Sequence, residues 1–159
     1  MSPPMDVSLV TFPETRVAVL RHTAEGAHEH ETVMKLVAWK LRLGLTDPVR
    51  YRHYGLHYVD PDQAMHHRVD FCLSIDEPVA PNDDGIAEGT IPQLRCARAR
   101  DVGSREANRA ARHLYEIWLP ASGESAGAFP AIFHYVNTGP NVRREEAITD
   151  VYLPLGDRG

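Results

Sequence analysis

Cysteine is scarce in this chain: Cys72 and Cys96 are the only two, far apart and each inside an apolar, strand-like run. They form neither a disulfide framework nor a CxxC-type zinc pattern, and read as small buried hydrophobes of a reducing compartment. Positive charge is also in deficit. Lys plus Arg total 17 against 22 Asp plus Glu, a formal charge of −5, so no overall electrostatic drive toward nucleic acid exists. No apolar run approaches the roughly 20 residues that a membrane-spanning helix needs. The opening Met1-Ser2-Pro3-Pro4-Met5-Asp6 lacks the basic start and apolar stretch of a secretory signal, and the cytosol is the expected location. Missing too are a GxSxG nucleophile turn, a phosphate-cradling glycine loop and any zinc-type spacing of His, Cys and acidic residues. These absences weigh against serine-nucleophile, nucleotide-dependent and metal-dependent chemistry, and no cofactor is expected.

What is present is the composition of a globular domain: 159 residues, 43% hydrophobic and 25% charged, too apolar for disorder. The length suits one domain. Residues 7–11 and 16–21 read as strands rich in Val and Leu, with Pro13 between them. Val33, Leu36, Val37 and Leu41 then recur at helical spacing before Gly44, which predicts an amphipathic helix over about 27–43. Strands are expected at 51–57 and 69–75, joined by a polar loop holding Asp60-Pro61-Asp62. Val69, Phe71, Leu73 and Ile75 alternate with Arg68, Asp70, Cys72 and Ser74, the pattern of a sheet with one apolar face. The turn-rich stretch 78–85 marks a midpoint.

The second half repeats the first. Pro13 and Pro92, Arg16 and Arg95, Ala18 and Ala97, and Arg21 and Arg100 all lie 79 residues apart. Without a gap the same offset carries Trp39 onto Trp118, the only tryptophans, and Gly44 onto Gly123. A second helix over about 104–118 and strands near 129–136 and 147–153 complete the copy. The expected fold is α+β: a single domain of two pseudo-twofold-related strand–helix–strand–strand units, 6–77 and 86–155, forming an antiparallel sheet with two long helices on one face. One such unit alone would leave sheet edge and apolar surface exposed. Pairing two of them creates a cleft, and clefts between units favour ligands.

In His28-Glu29-His30-Glu31 the histidines lie about 200° apart around a helix and do not converge on one ion; Glu29 and Glu31 suit the helix N-terminus instead. His66-His67 point to opposite faces, so no metal site is expected there. Arg105, Arg109 and Arg112 share a helix face and read as a solvated row paired with Glu106 and Glu116. Arg98 differs: mid-strand, in the register place of apolar Val19, it either reaches solvent or projects toward a ligand. Ser122-Gly123 reads as a helix exit. The aromatics Trp39, Tyr54, Trp118, Phe129, Phe133, Tyr135 and Tyr152 fall in core elements, and a set of this kind near a seam makes an apolar wall with polar tips.

The runs Phe12-Pro13-x-x-Arg16-Val17-Ala18-x-Leu20-Arg21-His22, Trp118-Leu119-Pro120-Ala121-Ser122-Gly123 and Ile148-Thr149-Asp150-Val151-Tyr152-Leu153-Pro154-Leu155 resemble the GyrI-like small-molecule-binding domain. That is the effector-binding domain of bacterial AraC-type and multidrug-responsive regulators, which also occurs in free-standing form. The resemblance spans about residues 6–155. It implies non-catalytic binding of an organic compound in the cleft between the units, as a sensor or sequestering protein. Alternative activities in the family are hydrolysis of reactive small-molecule toxins and gyrase-inhibitor-like protein binding. The ligand-binding residues expected here are Trp39, Tyr54, Arg98, Trp118, Phe133, Tyr135 and Tyr152. Many members carry a glutamate within a Pro-x-Phe-Glu-x-Tyr motif; matching Pro130 and Tyr135 puts Phe133 in its place. Without that carboxylate the expected ligand is a neutral or anionic aromatic rather than a cation. With only about five residues before the first strand, no helix-turn-helix module fits ahead of it, so direct contact with nucleic acid is not expected, nor is a membrane. Monomer or weak dimer is the expected state.

Overall fold

Proline decides how the strands are shared out. The computed structural model describes residues 6–23, 29–58, 68–103, 109–138 and 141–156. Pro13 separates β1 (Val7–Phe12) from β2 (Thr15–Thr23), and Pro92 separates β5 (Ala87–Ile91) from β6 (Leu94–Val102). Proline donates no backbone N–H and interrupts a ladder. Instead of folding back as hairpins, β1 pairs with β6 and β2 pairs with β5.

Two compact units result. The continuous one runs Glu14–Pro92; the other joins Met1–Pro13 to Gln93–Gly159. Their ends thus differ from the stretches 6–77 and 86–155, since each unit takes its edge strand from across the sequence midpoint. All described strand pairings are antiparallel, and the fold is α+β.

In the continuous unit the strands lie in the order β3 (His53–Tyr58), β4 (Arg68–Ser74), β2, β5. Helix α1 (Glu29–Arg42) covers one sheet face. Its Leu36 and Trp39 pack with Ala18, Leu20, Val69, Phe71, Leu73 and Ile75. The alternation along β4 is present, yet both sides are covered: Asp70, Cys72 and Ser74 are as buried as their apolar neighbours. The apolar face read from the sequence is the one that packs in the α1 core, and the opposite, more polar side is buried as well. Alternation marks which side is apolar, and burial of the polar side is decided by packing.

In the discontinuous unit the order is β1, β6, β8 (Ile148–Pro154), β7 (Ala131–Tyr135). The helical run is α2 (Arg109–Arg112), a π-helical turn (His113–Trp118) and α3 (Leu119–Ser122). Leu119 N–H donates to the Leu114 carbonyl, five residues back. A proline inside a helix crowds the carbonyl four residues earlier, and the widened turn just before Pro120 relieves that conflict. The helix therefore continues past the Trp118 end expected from the sequence. Asp101 caps its described start, accepting from the Arg109 N–H at 2.9 Å and from the Arg109 guanidinium at 3.1 Å. Arg109 is thus ion-paired with Asp101. Gly123 ends the run at φ +78, where an L side chain is strained. Ser122 Oγ donates to the Leu119 carbonyl and accepts from Glu124 N–H, as a helix exit requires. A short 3-10 turn (Arg144–Glu146) precedes β8.

The Asp60-Pro61-Asp62 loop, His28, His66-His67, Arg105 and Glu106 lie outside the described residues. No group of three or more metal-ligating side chains occurs among the described residues, and no described helix is long and apolar enough to cross a membrane.

Candidate functional site

Strand register sorts the candidate residues by face. Directly opposed residues in antiparallel strands share a side of the sheet, and successive residues alternate. In the discontinuous unit Ala97, Ala99, Val151 and Leu153 pack with Ala110, Ala111 and Leu114 on the helix-covered side. Phe133, opposite Val151, packs against this cluster, and so does Trp118. Tyr135 is two residues on from Phe133 and shares its side. The other side carries Cys96, Arg98, Arg100, Asp150, Tyr152, Ile132 and His134.

On that second side Arg98 and Tyr152 are opposed, with Ser8 of β1 across from Arg98 on its other flank. Tyr152 is half-buried, and the buried Phe12 ring meets it edge-on at 5.0 Å and 82°, a favoured aromatic geometry. Next along β6, Arg100 makes two hydrogen bonds to Asp150, 2.7 Å from Nε and 3.0 Å from Nη2. The Asp150 hydrogen bond holds the Arg100 guanidinium above its ordinary range against the opposing effect of desolvation. That pair is internally neutralised. Arg98 is not: half-buried, it has no hydrogen bond or ion pair among the described residues.

The continuous unit carries Tyr54 on the side away from α1, opposite Cys72. Tyr54 is 4% exposed. Burial pushes its phenol up, and the hydrogen bond from Arg52 Nε at 2.6 Å opposes that shift. Trp39 is on the other side, 6% exposed and locked in the α1 core.

The seven expected ligand residues are therefore not one cluster by face. Arg98 and Tyr152 come together. Phe133, Tyr135 and Trp118 gather on the opposite, helix-covered side of the same sheet, while Trp39 and Tyr54 occupy opposite sides of the other unit's sheet. Two contributors were not singled out from sequence: Phe12, which braces Tyr152, and Arg52, which tethers Tyr54. The Phe12 partnership is set by strand register, whereas Arg52 lies two residues before Tyr54, a spacing that puts both on one side of an extended chain.

Cys72 and Cys96 are free and buried. Desolvation pushes the Cys96 thiol up to about 11 and Cys72 higher still, so neither supplies a thiolate at neutral pH.

A family model described as a GyrI-like small molecule binding domain matches residues 5–155. The chain is 32% identical over 154 residues to a protein named probable transcriptional regulator YgiV of Escherichia coli strain K12, covering 95% of this chain and 96% of that one. The crystal structure of the EcmrR C-terminal domain is similar at TM-score 0.75 and 14% identity, over 96% of this chain and 98% of that one. The structure of SAV2435 bound to tetraphenylphosphonium matches at TM-score 0.60 and 11% identity, over 95% and 94% respectively. At such identities the two structures speak for the fold alone.

Proposed function

Because this chain belongs to the GyrI-like small-molecule-binding domain family, we propose that it binds a neutral or anionic aromatic compound without chemically altering it, and acts as a sensor or sequestering protein. The observation that carries the charge preference is Arg98. It is the half-buried guanidinium beside Tyr152 that has no ion pair among the described residues, while its neighbour Arg100 is neutralised by Asp150. An aromatic carboxylate matches this pair, its ring on Tyr152 and its charge on the guanidinium fork. Phe133 supports the same reading less directly. It removes a carboxylate from the motif, but it packs toward the helix-covered core, so Arg98 sets the charge in this proposal.

We further propose that the two units are copies of one module. Thr15↔Ile91 in β2/β5 and Phe12↔Leu94 in β6/β1 are the same pair under the 79-residue offset. Arg21, opposite and ion-paired with Asp70, is matched by Arg100, opposite and ion-paired with Asp150. Likeness to a named transcriptional regulator suits the sensory role, with DNA contact left to a separate component.

The test is a panel of size-matched cationic, neutral and anionic aromatic dyes, read as shifts in melting temperature. Anionic dyes are expected to stabilise most, and Arg98→Ala to abolish their advantage while neutral dyes keep theirs. Strongest stabilisation by the cations overturns the charge assignment. No stabilisation by any dye counts against the binding function itself.

A further inference from the structure

We propose that Lys40 and His53 form an amine–imidazole pair that captures acyl groups from activated esters, at a place separate from Arg98 and Tyr152. Lys40 Nζ lies 2.8 Å from His53 Nε2. Lys40 sits near the end of α1, four residues after Leu36, so its stem follows the buried side of the helix. His53 opens β3 opposite Leu73, on the α1-covered side of that sheet. Lysine is almost absent from this chain, and an arginine at position 40 would supply a fixed cation with no nucleophile. Desolvation lowers the Lys40 pKa from its ordinary value, which enlarges the fraction of free amine. Lys35, five residues earlier on the same helix, is exposed.

The chemistry balances without an added oxidant or cofactor. The Lys40 nitrogen attacks the ester carbonyl and forms a C–N bond. His53 Nε2 accepts the proton that the nitrogen sheds. The carbon–oxygen bond to the leaving aryloxide breaks, and the imidazolium returns the proton to give a phenol. The product is a Lys40 amide, stable to water, so each molecule reacts once. Such behaviour is stoichiometric capture of a reactive compound rather than turnover.

The experiment exposes the full chain to p-nitrophenyl acetate at mildly alkaline pH. Acetylation at Lys35 and Lys40 is then followed separately by peptide mass spectrometry. Lys40 is expected to react faster by about 100-fold, the low end of what a positioned base contributes. His53→Gln is expected to bring Lys40 down to the Lys35 rate and leave Lys35 unchanged. Far-ultraviolet circular dichroism of the variant reports whether α1 is still folded. Should the variant disturb the fold, the wild-type pH profile decides, with the Lys40 rate levelling off at lower pH than that of free Nα-acetyl-lysine. Equal rates at the two lysines, or a Lys40 profile that coincides with that of Nα-acetyl-lysine, overturn the proposal. So does a Lys40 rate unaffected by His53→Gln when Lys35 is also unchanged.

Discussion

At the residue scale, burial separates side chains that look alike in the sequence. Cys72 and Cys96 are both fully enclosed, and low dielectric disfavours the thiolate in each. The sign for stability follows from the direction of that shift. A thiol whose folded pKa exceeds its unfolded value contributes stability that is complete below about pH 8.5 and is lost as pH rises, through about 11 for Cys96. Ellman's reagent at pH 8 is therefore expected to find no rapidly reacting thiol in the folded protein and two in denaturant. A fast equivalent under native conditions would contradict the enclosure of these residues. Arg98 and Arg100 differ in the same way: two residues apart on one strand, Arg100 is bound to a buried carboxylate and Arg98 has none among the described residues.

At the element scale, β1 is the informative strand. It lies in sequence before β2 yet completes the sheet of β6, and Phe12 is its anchor, 3% exposed and edge-on to Tyr152. Phe12→Ala removes a buried ring and the brace of a proposed ligand residue. The urea-derived stability is expected to fall by about 3–5 kcal/mol. Leu9→Ala on the same strand, at a residue 55% exposed, is expected to change stability by no more than about 0.5 kcal/mol. Similar losses from both would mean that β1 is held by its ladder rather than by Phe12. The helical run teaches a related lesson, because Pro120 sits inside it and is accommodated by a π turn instead of ending it.

At the scale of the whole molecule, the compact units fix where the chain can be cut. The segment 14–92 contains β2, α1, β3, β4 and β5, hence the complete order β3-β4-β2-β5 and the full α1 core. The segment 6–77 instead carries β1 without its β6 partner and lacks β5, leaving one side of β2 unpaired. Expressed separately, 14–92 is expected to show the higher helix and sheet content by circular dichroism and the sharper thermal transition. A better-folded 6–77 would show that β1 takes over the place of β5 along β2.

Local spacing located many of the elements: the three- and four-residue recurrence of Val33, Leu36 and Leu41 gave α1, period two gave β4, and Pro13 separated the first two strands, because backbone preference and side-chain alternation act between near neighbours. The short β5 (Ala87–Ile91) carries no such pattern and was not read. The 79-residue repeat of Pro, Arg and Trp was open to reading. Partner choice was not, since β1 beside β6 and β5 beside β2 depend on contacts made between residues remote in sequence. Tertiary structure also assigned the aromatics to faces, sending Trp39 and Trp118 toward the helix-side cores and pairing Tyr152 with Arg98. Only strand register and packing decide which side chains converge and which charges are left to be met.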